Sequence, residues 1–125
     1  MRSWRTRPRV VATNPGAVPT QEKNEDRMTA YVIAEIAVLD AEGYEAYKPL
    51  AEASITAHGG RYRVRGGEVD SVEGDPVTGR VVVLEFPDLA AARSWYDSAD
   101  YRAALVVRQT TSSGRIYFVD GHDPA

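Results

Sequence analysis

Apolar and polar residues alternate in four segments of the chain, and this pattern is typical of β-strands. Residues in such a segment point alternately to the two faces of a sheet. Gly66-Gly67 suggests a β-bulge, after which residues 68–73 are expected to continue the second strand. The predicted strands are 30–38 (AYVIAEIAV), 61–65 (RYRVR), 80–86 (RVVVLEF) and 114–120 (GRIYFVD).

Helical periodicity fills the two long intervals that follow the first and third strands. The first predicted helix spans residues 41–57, where Pro49 is expected to bend it or split it in two. The run His58-Gly59-Gly60 should end this helix, because a glycine can adopt the left-handed conformation that closes a helix. The predicted N-caps are Asp40, Asp88 and Ser98.

The resulting order is β-α-β-β-α-β, which predicts an α+β domain of the ferredoxin-like kind. Its sheet should be antiparallel, with four strands and with helices on one face only. The residues of the first strand expected to face the helices are Val32, Ala34, Ile36 and Val38. The opposite face would expose Tyr31, Ile33, Val81 and Val83. Monomers seldom expose such an apolar patch, so we predict a homodimer whose two sheets pair into an α/β barrel.

The first 27 residues differ from the rest of the 125-residue chain. They hold six Lys or Arg and three acidic residues, several prolines and little periodic apolarity. We interpret residues 1–27 as a disordered extension or, because Met28 directly precedes the first strand, as an upstream stretch before the true start of translation. Residues 28–125 are then the ferredoxin-like, dimeric α/β-barrel domain.

Composition excludes several classes of function. Residues 28–125 hold nine basic and fifteen acidic residues, and this net negative charge disfavours binding to nucleic acid. No apolar run has the roughly 18 residues of a membrane span, so no membrane association is expected. The chain has no cysteine, which excludes disulfides and thiolate chemistry and fits a cytoplasmic location best.

No sequence motif for a metal or a cofactor is present. The two histidines, His58 and His122, are far apart and have no cysteine to complete a zinc or haem site. The glycine pairs do not form the spacing of a dinucleotide-binding or phosphate-binding loop. We therefore expect neither a metal nor a cofactor.

Glu35 and Glu85 are the first candidates for catalysis, because both should lie on the sheet face turned away from the helices. Two carboxylates close together in a poorly solvated site raise one pKa, which is how general acids and bases arise. Alternatively, each could form a salt bridge with one of the arginines of the second strand, namely Arg61, Arg63 and Arg65.

His58 is the third catalytic candidate, since histidine transfers protons near neutral pH. Its position at a helix C-terminus equally favours a capping role. Tyr47, Arg63 and Tyr96 are the candidates for ligand binding, and Tyr47 and Tyr96 would line a polar pocket together with His58. The alternative for the tyrosines is an ordinary place in the core.

The stretches AYVIAEIAV (30–38), AHGGRYRVRGGEV (57–69), GRVVVLEFPDLAAARSWYDSADY (79–101) and GRIYFVDG (114–121) resemble the family called domain of unknown function 1330. The resemblance covers residues 28–121 and implies a ferredoxin-like monomer that pairs through its exposed sheet face. It implies no particular reaction. Distant relatives of this architecture include cofactor-free monooxygenases and haem-degrading enzymes, but shared fold alone says little about function.

Three functions remain open at this point. The first is a small dimeric α/β-barrel protein that binds a small organic molecule. The second is a cofactor-free monooxygenase or isomerase that uses a Glu or His base. The third is a protein that acts through assembly alone and has no small-molecule site.

Overall fold

The predicted strands pair into one antiparallel sheet. The computed structural model describes residues 28–122, so the predicted extension at 1–27 lies outside the described residues. The strands are β1 (Ala30–Val38), β2 (Arg61–Arg65), β3 (Arg80–Phe86) and β4 (Ser112–Asp120). Their order across the sheet is β2-β3-β1-β4. The predicted fold class is confirmed.

Each helical region consists of two helices. The first region holds α1 (Ala41–Tyr44) and α2 (Tyr47–Ala57), and the second holds α3 (Leu89–Tyr96) and α4 (Ala99–Thr111). Pro49 falls in the first turn of α2, where its missing N–H has no intrahelical partner to lose, so the helix is split just before it. Gly59 adopts a φ of 81° and lets the backbone close the C-terminus of α2.

The predicted N-caps are confirmed. The side chain of each capping residue accepts a hydrogen bond from a backbone N–H in the first turn of its helix. Loss of one such cap typically costs about 1 kcal/mol. The capping pairs are Asp40 with Gly43, Asp88 with Ala91, and Ser98 with Tyr101.

The helices bury one side of the sheet, which we call the covered face. Its residues are Ala30, Val32, Ala34 and Ile36 of β1, Val82, Leu84 and Phe86 of β3, and Ile116 and Phe118 of β4. Trp95 and Tyr101 from the helices fill the centre, with ring centroids 4.3 Å apart. Val38, predicted to face the helices, is 37% exposed because it lies at the end of β1, where the chain turns towards α1.

One bulge changes which residues of β2 share a face. Tyr62 pairs with Leu84 and the next pair is Val64 with Val83, so Arg63 is the extra residue. Tyr62 and Val64 therefore lie on opposite faces, although strict alternation along the strand would predict that they share one. A one-residue insertion reverses the alternation, and it directs Arg65 to the covered face beside Val82.

The predicted bulge at Gly66-Gly67 is a strand end instead. β2 stops at Arg65, and residues 66–79 form an exposed loop rather than a continuation of the strand. Gly66 has a φ of 76° and donates a backbone hydrogen bond of 2.9 Å to Val81. The positive φ turns the chain away from the sheet.

The other side of the sheet has no helices within residues 28–122, and we call it the open face. It carries the apolar residues Tyr31, Ile33, Val64, Val81, Val83, Tyr117 and Val119. Its charged residues include Glu35, Arg61, Arg63, Glu85 and Arg115. Within the described residues, no helix is both long enough and apolar enough to cross a membrane.

Candidate functional site

Glu35 and Glu85 both lie on the open face, as predicted, but they do not lie together. Glu35 is opposite Val81, and Glu85 is opposite Tyr31. The two glutamates are therefore four positions apart along the strands, or about 13 Å. The prediction of a close carboxylate pair is wrong, because the face of a strand residue follows from alternation but the register does not.

Each glutamate forms a salt bridge instead. Arg115 donates from Nε to Glu35 Oε1 at 3.1 Å and from Nη2 to Oε2 at 3.4 Å, and Tyr117 donates to Glu35 Oε2 at 3.2 Å. Hydrogen bonding to Glu35 raises the pKa of Arg115. Arg63 Nε lies 3.3 Å from Glu85 Oε1. The salt-bridge alternative thus holds for both, although the partner of Glu35 comes from β4 rather than from β2.

His58 occupies the C-cap position of α2. Its Nδ1 is 2.9 Å from the backbone carbonyl oxygen of Ser54, so it satisfies one of the last carbonyl groups of the helix. This geometry gives His58 the capping role that its position in the sequence also allowed.

A small cavity lies between the helices and the covered face, and we call it the inner cavity. Its volume is about 30 Å³, which is room for about two water molecules. Aliphatic residues of the covered face form one wall. The residues of its lining that carry polar groups are Tyr44, Tyr47, Lys48, Tyr62, Arg65, Arg80, Trp95 and Arg108.

Two of these residues, Tyr47 and Arg108, are joined through Tyr101 in a chain of hydrogen bonds. The Tyr47 hydroxyl is 2.8 Å from the hydroxyl of the fully buried Tyr101, and Arg108 Nε donates to the same Tyr101 oxygen at 3.1 Å. Burial raises the pKa of Tyr47 well above its ordinary value, and Tyr101 raises it further. Burial alone would lower the pKa of Arg108, but its contact with Tyr101 outweighs this effect and the pKa is raised.

Arg80 is the second cation beside the inner cavity, and its side chain is partly buried. It begins β3 on the covered side, and its Nε is buried without a hydrogen-bond partner in the structure. Its guanidinium group packs against Gly66, where an added Cβ would lie 2.9 Å from Arg80 Cζ. Burial raises the pKa of Tyr44, and the nearby Arg80 partly opposes this rise.

Lys48 and Arg65 line the inner cavity where it approaches solvent, since their side chains are 31% and 38% exposed. Each is held by an acid of the first helical region. Lys48 pairs with Glu45 at 2.9 Å, and Arg65 pairs with Glu52 at 3.1 Å. Arg65 also stacks on the ring of Tyr62, with Cζ 4.2 Å from its centroid. These pairs leave the deeper cations without an acidic neighbour.

The ligand-binding candidates separate in space. Tyr47 lines the inner cavity, whereas Arg63 is on the open face with Glu85. Tyr96 borders a shallow depression beside β4, and neither it nor His58 reaches the inner cavity. The predicted pocket of Tyr47, Tyr96 and His58 is therefore not formed.

Sequence reasoning missed the polar groups that accompany Tyr47. Arg108 lies seven residues after Tyr101 on the inward side of α4, so a cation on an apolar helical stripe was the available signal. Arg80 alternates in phase with Val82 and Leu84, which marks it as a cation on the covered face. Among residues 28–122 no cluster of three or more His, Asp or Glu side chains could hold a metal ion.

These features define a class of protein: a ferredoxin-like α+β domain with a small cavity that is lined by tyrosines and arginines, between helices and sheet. The chain belongs to the family described as domain of unknown function 1330, whose model matches residues 29–122. No curated protein matches it.

Two solved structures show the same fold. A protein of unknown function from Rhodopseudomonas palustris is 19% identical, with a TM-score of 0.65 over 78% of this chain and 85% of that one. A protein from Caulobacter crescentus, provisionally assigned as an antibiotic biosynthesis monooxygenase, is 14% identical, with a TM-score of 0.56 over 78% and 92% of the two chains. At these identities the likeness shows the fold alone.

Proposed function

We propose that the protein binds a small organic molecule in the inner cavity. The observation that carries this proposal is the buried Nε of Arg80, which has no hydrogen-bond partner beside a cavity with mainly apolar walls. Ligand sites typically combine apolar walls with a few well-placed polar groups. Structural cores seldom leave such a group unsatisfied, because burial without a partner costs about 1–3 kcal/mol.

Size limits what the cavity can hold. A volume of about 30 Å³ takes the polar end of a ligand rather than a whole molecule. The remainder would lie towards Lys48 and Arg65, whose side chains reach solvent and can move aside. Both residues contribute flexible stems as well as charge, so they can cover an apolar ligand.

We also propose that two copies pair through their open faces. The open face presents seven apolar side chains, and three of them, Val64, Tyr117 and Val119, are about 40% exposed. The ion pairs of Glu35 and Glu85 border these side chains and are already neutralised within one chain. A second copy would bury this patch without leaving Glu35 or Glu85 unpaired.

Catalysis by a cofactor-free monooxygenase or isomerase is the alternative, and the provisional assignment of the Caulobacter crescentus protein is compatible with it. However, Glu35 and Glu85 lie on the face opposite to the inner cavity, and His58 caps a helix. The candidate bases are therefore remote from the proposed binding site. For this reason we propose binding rather than base catalysis, in a cytoplasmic protein that acts as a homodimer.

A thermal-shift screen of the full chain against a panel of small metabolites tests the proposal. A ligand that binds only the folded state raises the melting temperature with increasing concentration. The shift should shrink in Tyr47→Phe, which keeps the ring but removes the hydroxyl that faces the cavity. It should be unchanged in Tyr117→Phe, whose hydroxyl contacts Glu35 on the open face. Equal loss in both variants, or no ligand at all, would favour a protein that acts through assembly alone.

A further inference from the structure

The hydroxyl hydrogens in the Tyr47–Tyr101–Arg108 chain have one arrangement that gives the fully buried Tyr101 hydroxyl an acceptor for its own hydrogen. Arginine can only donate, so the Tyr101 oxygen accepts from Arg108. If Tyr47 donated to Tyr101, the hydrogen of Tyr101 would have no acceptor among the described residues. The chain therefore runs from Arg108 to Tyr101 to Tyr47, and the Tyr47 hydrogen is left to donate into the inner cavity.

The inner cavity thus presents donors and no acidic group. Its lining includes Lys48, Arg65, Arg80 and Arg108 but no Asp or Glu. Lys48 and Arg65 have acidic partners outside the lining, whereas no carboxylate of residues 28–122 lies within 4.0 Å of Arg80 or Arg108. Arg108 is buried, and a buried cation without a counter-ion is costly, so an anion would be stabilised here.

We infer that the inner cavity binds the carboxylate group of a small organic acid. This inference rests on the proposed function and names its ligand class. The volume of about two waters matches the two oxygens of a carboxylate, which can only accept hydrogen bonds. Tyr47 and Arg80 donate to them, and the apolar part of the acid lies towards Tyr62 and Arg65.

Tyr101 and Arg108 act as positioning residues in this site. They do not contact the carboxylate but orient the Tyr47 hydroxyl towards it. Hydrogen bonds that point the same way along a chain polarise each other, so Arg108 makes Tyr47 a better donor. An anion that accepts from Tyr47, at the end of this chain of hydrogen bonds, is stabilised most by the polarisation.

The test is to compare benzoate with benzamide, which has the same shape but no charge. Affinities for the full chain are measured by calorimetric titration at pH 7. Benzoate should bind at least tenfold more tightly than benzamide, because hydrogen bonds to a charged group are stronger than those to a neutral one. Arg80→Gln should weaken benzoate about tenfold and leave benzamide unchanged. Tyr47→Phe and Tyr101→Phe should weaken benzoate several-fold, again without an effect on benzamide.

Arg102→Gln is the control, since it removes one arginine charge from the exposed side of α4. It should leave both affinities unchanged. Equal binding of benzoate and benzamide would overturn the carboxylate inference while the proposed small-molecule site stands. A failure of both to bind at millimolar concentration would overturn both. If Arg80→Gln does not fold, the Tyr47→Phe result decides, because phenylalanine preserves the packing.

Discussion

The two faces of the sheet differ in whether their charged residues form ion pairs. On the open face, Glu35 and Glu85 each pair with an arginine and keep 29% and 23% of their side-chain surface exposed. Beside the covered face, Arg108 is buried and Arg80 is partly buried, and neither has an acidic partner within the described residues. The cations without acidic partners therefore lie beside the covered face, although the sequence alone points first to the carboxylates of the open face.

This contrast assigns the faces different roles. Paired carboxylates beside an apolar patch suit association with a second copy, because neither glutamate has to be buried alone. Unpaired donors in a small cavity suit a ligand that supplies the missing acceptor. The predictions below test each face against the other.

The largest effect is expected on assembly. Val83→Arg places an unpaired charge in the centre of the open face and should convert the dimer into a monomer. Light scattering at micromolar concentration measures the mass. Val106→Arg on α4, which is 61% exposed, is the control and should leave the mass unchanged. A compact monomer in the unmodified protein would contradict pairing through the sheets.

Tyr101→Phe should cost the next most in stability. It removes the oxygen that accepts from Arg108 and leaves Nε of a buried guanidinium unsatisfied. The expected loss is about 1–3 kcal/mol in the free energy of unfolding. Urea titration measures it, and Tyr117→Phe on the open face should cost much less. If both variants lost the same free energy of unfolding, the Tyr101 hydroxyl would be no more important to stability than the partly exposed Tyr117 hydroxyl, and this would contradict the account.

Gly66→Ala tests the support of Arg80. The substitution is strained at a φ of 76°, and its Cβ would overlap the Arg80 guanidinium group. A loss of about 1 kcal/mol is expected from the backbone conformation alone. Gly74→Ala is the matched control, because Gly74 also has a positive φ, of 79°, and an added Cβ there meets nothing within 4 Å. Equal melting temperatures for the two variants would argue that Arg80 is free to move away.

Glu35→Gln and Glu85→Gln should each lower the melting temperature by less than about 5 °C, because partly exposed ion pairs contribute little. Thermal melting at pH 7 measures the change. The sign of the change in melting temperature is the informative result. A rise in melting temperature would indicate that the two glutamates repel each other, and this would revive the interpretation that they form a functional pair.

Deletion of residues 1–27 should have the smallest effect. That segment offers few apolar residues to anchor it, so the melting temperature and the mass of the dimer should stay unchanged. Melting of the two forms side by side measures this. A fall of more than about 5 °C would show that the segment stabilises the domain.

Much of the fold could be predicted from the sequence because alternation and capping are local signals. Asp40 and Asp88 each cap the helix that begins at the next residue, and the residues of β3 alternate between the two faces without interruption. Register is not local. The position of Glu35 opposite Val81, and the extra residue Arg63 in β2, depend on how distant strands meet.

The candidate site was less predictable for the same reason. Tyr47 was recognised as a polar aromatic residue, but its partners Tyr101 and Arg108 lie on a helix that is far along the chain. Arg80 comes from a strand end, and the loop glycine Gly66 makes room for it. Only the packing of helices on the sheet brings these groups together around one cavity.

The most direct measurement is a map of where benzoate binds, obtained from amide and side-chain chemical shifts during titration of the labelled protein. The account predicts that the largest changes occur at Tyr47, Arg80 and Arg108, with little change at Glu35 and Tyr117. The largest changes on the open face, with none around the inner cavity, would contradict the assignment of ligand binding to the covered face.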